Sequence, residues 1–287
     1  MFKGLSPGAI GVRAGSLDEA LAAAKTGGFG GVEFSPSQIA DLIEAQGAEA
    51  ARTRFTEVGI QPAGWGLPTD WRGSEEKWQA GLEELPRLAQ AAAAVGGTRV
   101  STWVMPCSND RPYEENYRFH VARFTPIARI LNDHGISLGL EFIGPKTLWA
   151  SQKYPFIHTL PDMLALGRDI GPNVGLLLDC WHWYTSHGTV DDLKALTPAQ
   201  VVYVHVNDAP AGIPTDEQRD NTRALPGATG VIDIAGFLQA LQGIGYDGPV
   251  VPEPFVDLSG LPSDEARLKT VGAAMDDIWQ KAGLSAL

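Results

Sequence analysis

Gly175-Leu176-Leu177-Leu178-Asp179-Cys180-Trp181-His182-Trp183-Tyr184 decides how this chain of 287 residues is read. Three leucines behind a glycine suit a parallel strand covered on both faces, and such a strand has no use for a carboxylate except at its exit. Asp179 is therefore predicted to stand at the C-terminal end of a buried strand, with His182 three residues further on. Cys180, next to Asp179 on the strand, is expected to point the other way, into a layer of helices.

Working outward, the same alternation repeats in both directions. Upstream lie a helix over 160–170 that stops at Gly171-Pro172, a strand over 136–143 that carries Glu141, and a helix over 114–134 that ends at Gly135. Before these the pattern predicts a strand over 99–104, a helix over 74–95, a strand over 59–65, a helical stretch over 37–58 broken near Gly47, and a strand over 31–34. The first helix opens at Ser16 and Glu19, which have capping-box spacing, and runs to about Thr26; the first strand is expected over 8–12. Downstream follow a short helix over 190–196, a strand over 201–206, a long loop over 207–230, a helix over 233–242, a strand over 249–253 and a closing helix over 263–281. Eight strands alternating with helices predict one domain over 1–287 that closes into a (β/α)8 TIM barrel. A doubly wound open sheet would want a phosphate-binding glycine-rich turn that opens a helix. The glycine-rich stretch Gly27-Gly28-Phe29-Gly30-Gly31 instead precedes a strand and reads as a tight connection.

Lys and Arg number 22 against 34 Asp and Glu, a net charge of −12. That balance argues against nucleic acid and anionic membrane as partners, since both require a basic patch. Two cysteines, Cys107 and Cys180, cannot make a disulfide framework and fit a reducing compartment. The first residues lack the apolar core of a signal peptide and no uninterrupted apolar run is long enough to span a bilayer, so a cytoplasmic protein is expected.

Residues at the C-terminal ends of barrel strands converge on one site. The last four predicted strands each deliver a metal-competent side chain there: Glu141, Asp179, His205 and Glu253. Each lies in or closes an apolar run. Burying carboxylates without compensation costs several kcal/mol each, so three that face one another call for a cation. Three oxygen donors and one imidazole form a mostly hard set, best suited to Mn²⁺ or Mg²⁺ and tolerated by Co²⁺ and Zn²⁺.

These residues resemble the sugar phosphate isomerase/epimerase group of xylose isomerase-like TIM barrels. Members of that group hold one divalent ion with Glu, Asp, His and Glu from the last four strands, a pattern that specifies the superfamily and no single substrate. Within it the chain is most similar to inosose (2-keto-myo-inositol) isomerases of inositol catabolism. The similarity lies in Leu140-Glu141-Phe142-Ile143-Gly144, in Asn173 to Asp179 with His182, in Thr215-Asp216-Glu217, and in Pro226-Gly227 followed by Gly230-Val231-Ile232-Asp233. The 227–230 turn is one residue longer than usual in the group, and 220–223 adds spacing before Pro226. Related DNA-repair endonucleases hold three zinc ions with extra histidines, and strands two and three here carry none.

The resemblance implies an isomerase or epimerase acting on a keto-sugar or keto-cyclitol, in which Glu141 and Glu253 are acid/base catalysts as well as ligands and the metal stabilises an enediolate. A dehydratase or lyase of the same superfamily, acting on inosose, dehydroshikimate or a keto-glycoside, is the alternative. His182 is implied as a hydrogen-bond partner of a substrate oxygen, and Arg223, with Arg219 as its competitor, as the substrate-side arginine. Trp65, Trp103, Trp149, Trp181 and Trp183 fall at or after strand exits, where indoles can stack on a sugar; Trp103 and Trp181 are taken as substrate-facing. Lys146 and Lys153 follow Glu141 closely enough to reach substrate, Lys146 the better placed. Glu33 reads as a ligand-orienting or salt-bridged acid. Barrels of this group commonly pair, so a homo-oligomer is compatible with the chain.

Overall fold

A computed structural model describes residues 1–285. Eight parallel strands close into a barrel: β1 (Phe2–Leu5), β2 (Gly31–Glu33), β3 (Gln61–Gly66), β4 (Arg99–Val104), β5 (Ser137–Phe142), β6 (Val174–Asp179), β7 (Val201–Val206) and β8 (Pro249–Pro252), with β8 back against β1. The (β/α)8 TIM barrel expected from the alternation is the observed fold. Helices Pro36–Gln46 and Ala48–Val58 meet at Gly47, whose positive φ of 87° makes the predicted break.

The first strand lies elsewhere than expected. Residues 8–10 form a 3₁₀ turn that ends at Gly11 with φ 70°, while Phe2–Leu5 closes the barrel by pairing Phe2 with Pro249 and Gly4 with Gly31. Ile10 and Val12 are apolar because they pack into the core, not because they are strand residues. The run after Asp179 also differs: Cys180–Thr185 is a short helix rather than the loop expected around His182, opened by Asp179 itself, whose Oδ1 accepts from Trp181 N–H at 2.8 Å. Cys180 is nonetheless buried in the outer core, its thiol 3.3 Å from the Asn207 carbonyl.

Two apolar layers follow from strand alternation. Leu138, Leu140 and Phe142 of β5 face the helices in the main core, whereas Leu177, Tyr203 and Val251 form a separate cluster inside the barrel. Two residues beyond that inner cluster come Asp179, His205 and Glu253, so the period of two carries the interior face straight to the top of the barrel. Gly64 is required by this interior: a Cβ there would meet the Tyr203 ring at 2.6 Å.

Candidate metal centre

Asp179 and His205 are register partners on β6 and β7, and Glu253 N–H donates to Val206 O at 3.0 Å, which holds the β8 exit against β7. Glu141 rises from β5. One ligand atom from each of Glu141, Asp179, His205 and Glu253 lies within 4.8 Å of the others, and all but the half-buried Glu253 are buried. The predicted quartet is therefore assembled in space.

Its charges are poorly matched among themselves. Burial pushes the Glu141 carboxyl above the ordinary carboxylate range, and Glu253 and Asp179 add to the effect. Burial acts likewise on Glu253, but His205 and Arg223 outweigh it and hold that carboxyl low. Burial opposes a charge on His205, yet Glu253 and Glu141 outweigh it and raise the imidazole well above its usual range. His205 Nδ1 lies 3.5 Å from Glu141 Oε1 and 3.4 Å from Glu253 Oε2. Both Nδ1 and Glu141 Oε1 are buried without a hydrogen-bond partner among the described residues. Unsatisfied buried donors of this kind, oxygen and imidazole nitrogen aimed at one point, fit a divalent cation, which supplies positive charge and releases the imidazole proton.

Arg223 is the second half of this electrostatic arrangement. Its guanidinium is buried; Nη1 donates to Asp179 Oδ2 at 2.7 Å and Glu253 Oε2 at 3.0 Å, and Nη2 to Asp220 Oδ1 at 3.0 Å. The Phe255 ring lies 4.4 Å from it. Phe255 has a φ of 39°, a left-handed conformation that a bulky residue seldom adopts. Arg219, by contrast, is exposed and lines a surface hollow with Thr147, Leu148, Asp220 and Asn221. The structure thus brings Arg223 to the quartet and leaves Arg219 outside it.

His182 sits at the quartet, buried in the helix after β6 rather than in an open loop. Its Nδ1 accepts the Gly144 N–H at 3.2 Å, which puts the proton on Nε2. Burial pulls His182 down to about 3, with Arg223 adding to it against the pull of Asp179, so the ring is neutral. Nε2 faces Arg223 Nη2 at 3.3 Å, donor against donor, and Glu141 and Asp179 oxygens at 3.9 Å. Among the described residues the nearest carboxylate oxygen to this donor is Asp220 Oδ1 at 3.8 Å, beyond hydrogen-bond distance. Gly144 permits this packing, since a Cβ there would lie 2.4 Å from His182 O.

The remaining candidates separate. Trp181 is fully buried with Nε1 unpartnered, and its ring lies 5.3 Å from Arg223; Trp103 is 45% exposed on the strand position beside Glu141. Trp65, bonded to Gly97 O, and Trp183, bonded to Thr189 O and packed on Phe237, are structural. Trp149 stacks on His158. Lys146 is tied at 2.8 Å to Asp216, which His187 also contacts at 2.8 Å, so it pins the loop over 207–230 and does not enter the quartet. Lys153 lies over the Tyr154 ring. Among the described residues Glu33 makes no ion pair; it accepts from the Tyr203 hydroxyl at 2.8 Å inside the barrel.

Two positions that support the quartet escaped the sequence reading. Asn207 Nδ2 donates to Asp179 Oδ1 at 3.0 Å and so orients the acid. Asp208 next to it accepts four backbone N–H groups, from Ala209, Thr229, Gly230 and Ile232, and shapes the loop that delivers Arg223. The pair Asn207-Asp208 directly after His205-Val206 was the available signal.

The family model described as xylose isomerase-like TIM barrel matches residues 21–276. An inosose isomerase of Bacillus velezensis is 31% identical over 227 residues, which cover 77% of this chain and 75% of that protein. A 3-dehydroshikimate dehydratase of Pseudomonas putida is 25% identical over 249 residues, covering 85% of this chain and 36% of that protein. Other inosose isomerases match over less than half of their own length. Among solved structures, a xylose isomerase domain protein from Alicyclobacillus acidocaldarius superposes with a TM-score of 0.83 at 30% identity, covering 98% of this chain and 99% of that one. From the family match and the closed parallel barrel together, this chain belongs to the xylose isomerase-like TIM barrel family.

Proposed function

We propose that this chain is a divalent-metal-dependent isomerase or epimerase of a keto-sugar or keto-cyclitol of the inosose type, working by proton abstraction next to a carbonyl. The observation that carries the reading is the convergence of Glu141, Asp179, His205 and Glu253 within 4.8 Å, two of their buried polar atoms being without partners. The similarity to an inosose isomerase over 77% of the chain supports the substrate class.

Glu141, Asp179, His205 and Glu253 would hold the ion, Mn²⁺ being the best match to the donors and Mg²⁺, Co²⁺ or Zn²⁺ acceptable. When bound, it would polarise the substrate carbonyl and stabilise negative charge on the adjacent oxygens. The polypeptide does the rest. Glu141 and Glu253 approach from strands separated by β6 and β7, so one can remove a proton from a carbon that the other reaches. Without the ion, Arg223 and His205 favour the ionised form of Glu253 while burial favours the neutral form of Glu141; the ion would hold both carboxylates ionised, so either can serve as the base. His182 Nε2–H would donate to a substrate oxygen, and Arg223 would fix Asp179 and Glu253 while shielding them from water together with Phe255 and Trp181. The same proton abstraction followed by loss of a β-hydroxyl gives a dehydratase, a second reading supported by the similarity to the 3-dehydroshikimate dehydratase.

Solvent deuterium exchange into 2-keto-myo-inositol and a panel of ketoses, with the Mn²⁺-loaded protein, tests the proposal. Wild-type protein incorporates label, and Glu253→Gln loses about 10²–10⁴-fold in rate. Product mass separates the two readings: retention of all oxygens means isomerisation, loss of water means dehydration. No exchange anywhere in the panel would sink the proton-abstraction mechanism for these substrates.

A further inference from the structure

The wall beside the acidic strands carries a cation that the reaction above leaves unused. Trp103 lies in β4 in register with Glu141. Its side chain faces the barrel mouth as Glu141 does, because Thr102 turns outward to Trp71 Nε1 at 3.4 Å and Val104 joins the core beneath the helices. Arg72, in the connection after β3, is clasped between two indoles: its guanidinium carbon is 3.8 Å from the Trp103 ring centre and 4.1 Å from that of Trp71. Trp71 is buried and packed against Phe124 at 4.5 Å and His120 at 5.1 Å, which gives the clasp a fixed back wall.

Stacking of this kind covers the faces of a guanidinium and leaves its in-plane edge, where the N–H groups project. One of them, on Nη2, donates to the Trp103 carbonyl. No carboxylate lies within ion-pair distance of Arg72 among the described residues. Asp70, two residues back, acts at longer range and has Oδ1 occupied by Gly73 N–H at 3.0 Å. Burial pulls Arg72 down to about 10, with Asp70 only partly opposing it. As a residue Arg72 is exposed, its guanidinium held flat between the two indoles, and with no carboxylate of the described residues in ion-pair distance the rest of its edge is open to a planar anion; a carboxylate fits such an edge with two parallel hydrogen bonds.

We propose that Arg72 determines specificity at this site, and that the substrate bears a carboxylate on its polyhydroxylated skeleton, held by the Arg72 edge at the Trp103 wall. The inference rests on the proton-transfer reading above and, among the substrates open to that chemistry, selects a keto acid over neutral inososes and ketoses. Trp103 then has two duties, to stack on the substrate carbon frame and to keep the guanidinium flat beside it.

Shikimate and its methyl ester share one polyhydroxylated ring and differ only in the carboxylate charge, so calorimetric titration of both into the Mn²⁺-loaded protein isolates the Arg72 contribution. Wild-type protein binds shikimate at least tenfold more tightly than the ester. Arg72→Met brings the two within about twofold, and Arg72→Lys, a point charge without the fork, keeps only part of the preference. Equal binding of both by wild type, no binding of shikimate, or a preference that survives Arg72→Met overturns the proposal. Deuterium exchange keeps the two inferences apart. Exchange into a neutral ketose with no Arg72-dependent preference removes Arg72 alone; an Arg72-dependent preference with no exchange into any keto acid or ketose removes the proton-transfer reading and leaves a carboxylate-binding site.

Discussion

The two halves of this barrel are held by different physics. From β5 to β8 the strand exits are charged: Glu141, Asp179, His205 and Glu253 face one another and lean on Arg223. From β1 to β4 the upper rim is aromatic, with Trp71 packed among His120 and Phe124 and Arg72 spread between Trp71 and Trp103. The charged half is under-compensated on its own and gains from a cation. The aromatic half is complete as a packed wall and offers shape. The proposed reaction, which polarises one end of a polyol and recognises the other, has use for both, and the parallel barrel brings them to one mouth because every strand ends on the same side.

The sharpest way to break the contrast is to remove the arginine from the charged half. Arg223→Met removes the guanidinium that joins the Asp179 and Glu253 carboxylates and leaves His205 as the one cation beside Glu253. Removal of one partner from a buried pair costs about 3–5 kcal/mol, read by urea denaturation of the metal-free protein. Added Mn²⁺ is expected to restore part of the loss, because it brings positive charge to the same oxygens. An unchanged unfolding midpoint would mean that Arg223 is not what balances these acids.

The aromatic half answers to pH instead. His120 is buried under Trp71, its Nδ1–H given to Asn116 O at 2.7 Å. Burial, with Arg72 and Arg111 adding and the Asn116 bond opposing, pulls it from 6.5 down to about 4. A folded-state value below the unfolded one means that the unfolded chain takes up the proton first as pH falls. The neutral ring therefore leaves stability intact above about 6.5, and the loss accumulates between 6.5 and 4 at up to about 1.4 kcal/mol per pH unit. Comparing urea midpoints of wild type and His120→Phe across pH 4 to 7 isolates this slope. The variant is expected to be flatter in that window; parallel curves would mean the imidazole titrates normally.

How much of this could be read in the chain itself follows from the range of the interactions. The four strand-end candidate ligands were legible because alternation is local: Leu177 then Asp179, Tyr203 then His205, Val251 then Glu253 each step from an apolar interior position to a polar one at the rim. β1 was not, because Phe2–Leu5 is four residues with a lysine and a glycine, and it earns its place only by pairing with Pro249 and Gly31. Nor was the helix after Asp179, since six residues with two tryptophans and a histidine read equally well as the loop after a strand exit. Choosing Arg223 over Arg219 depended on where a loop folded by Asp208 carries each of them. Arg72 passed unnoticed because its partners, Trp71 beside it and Trp103 a strand away, become a clasp only in three dimensions.

One contact joins the halves through the barrel itself, and it sets the smallest effect. Tyr203, on β7 two residues below His205, reaches across the interior to give its hydroxyl proton to Glu33 at the end of β2. Burial raises the phenol well above its usual range and Glu33 adds to this, so Tyr203 remains a donor at all working pH values. Tyr203→Phe keeps the ring that fills the inner layer against Leu177 and Val251 and removes the hydroxyl alone. Because Glu33 is only half-buried and can turn to water, the cost is that of one hydrogen bond, about 1 kcal/mol, measured by urea unfolding. If the charged half is organised independently of the aromatic half, the stabilisation that Mn²⁺ gives to Tyr203→Phe equals that given to wild type. A smaller Mn²⁺ effect in the variant would show instead that the Glu33–Tyr203 bond holds His205 in position from below, and that the two halves are one electrostatic unit.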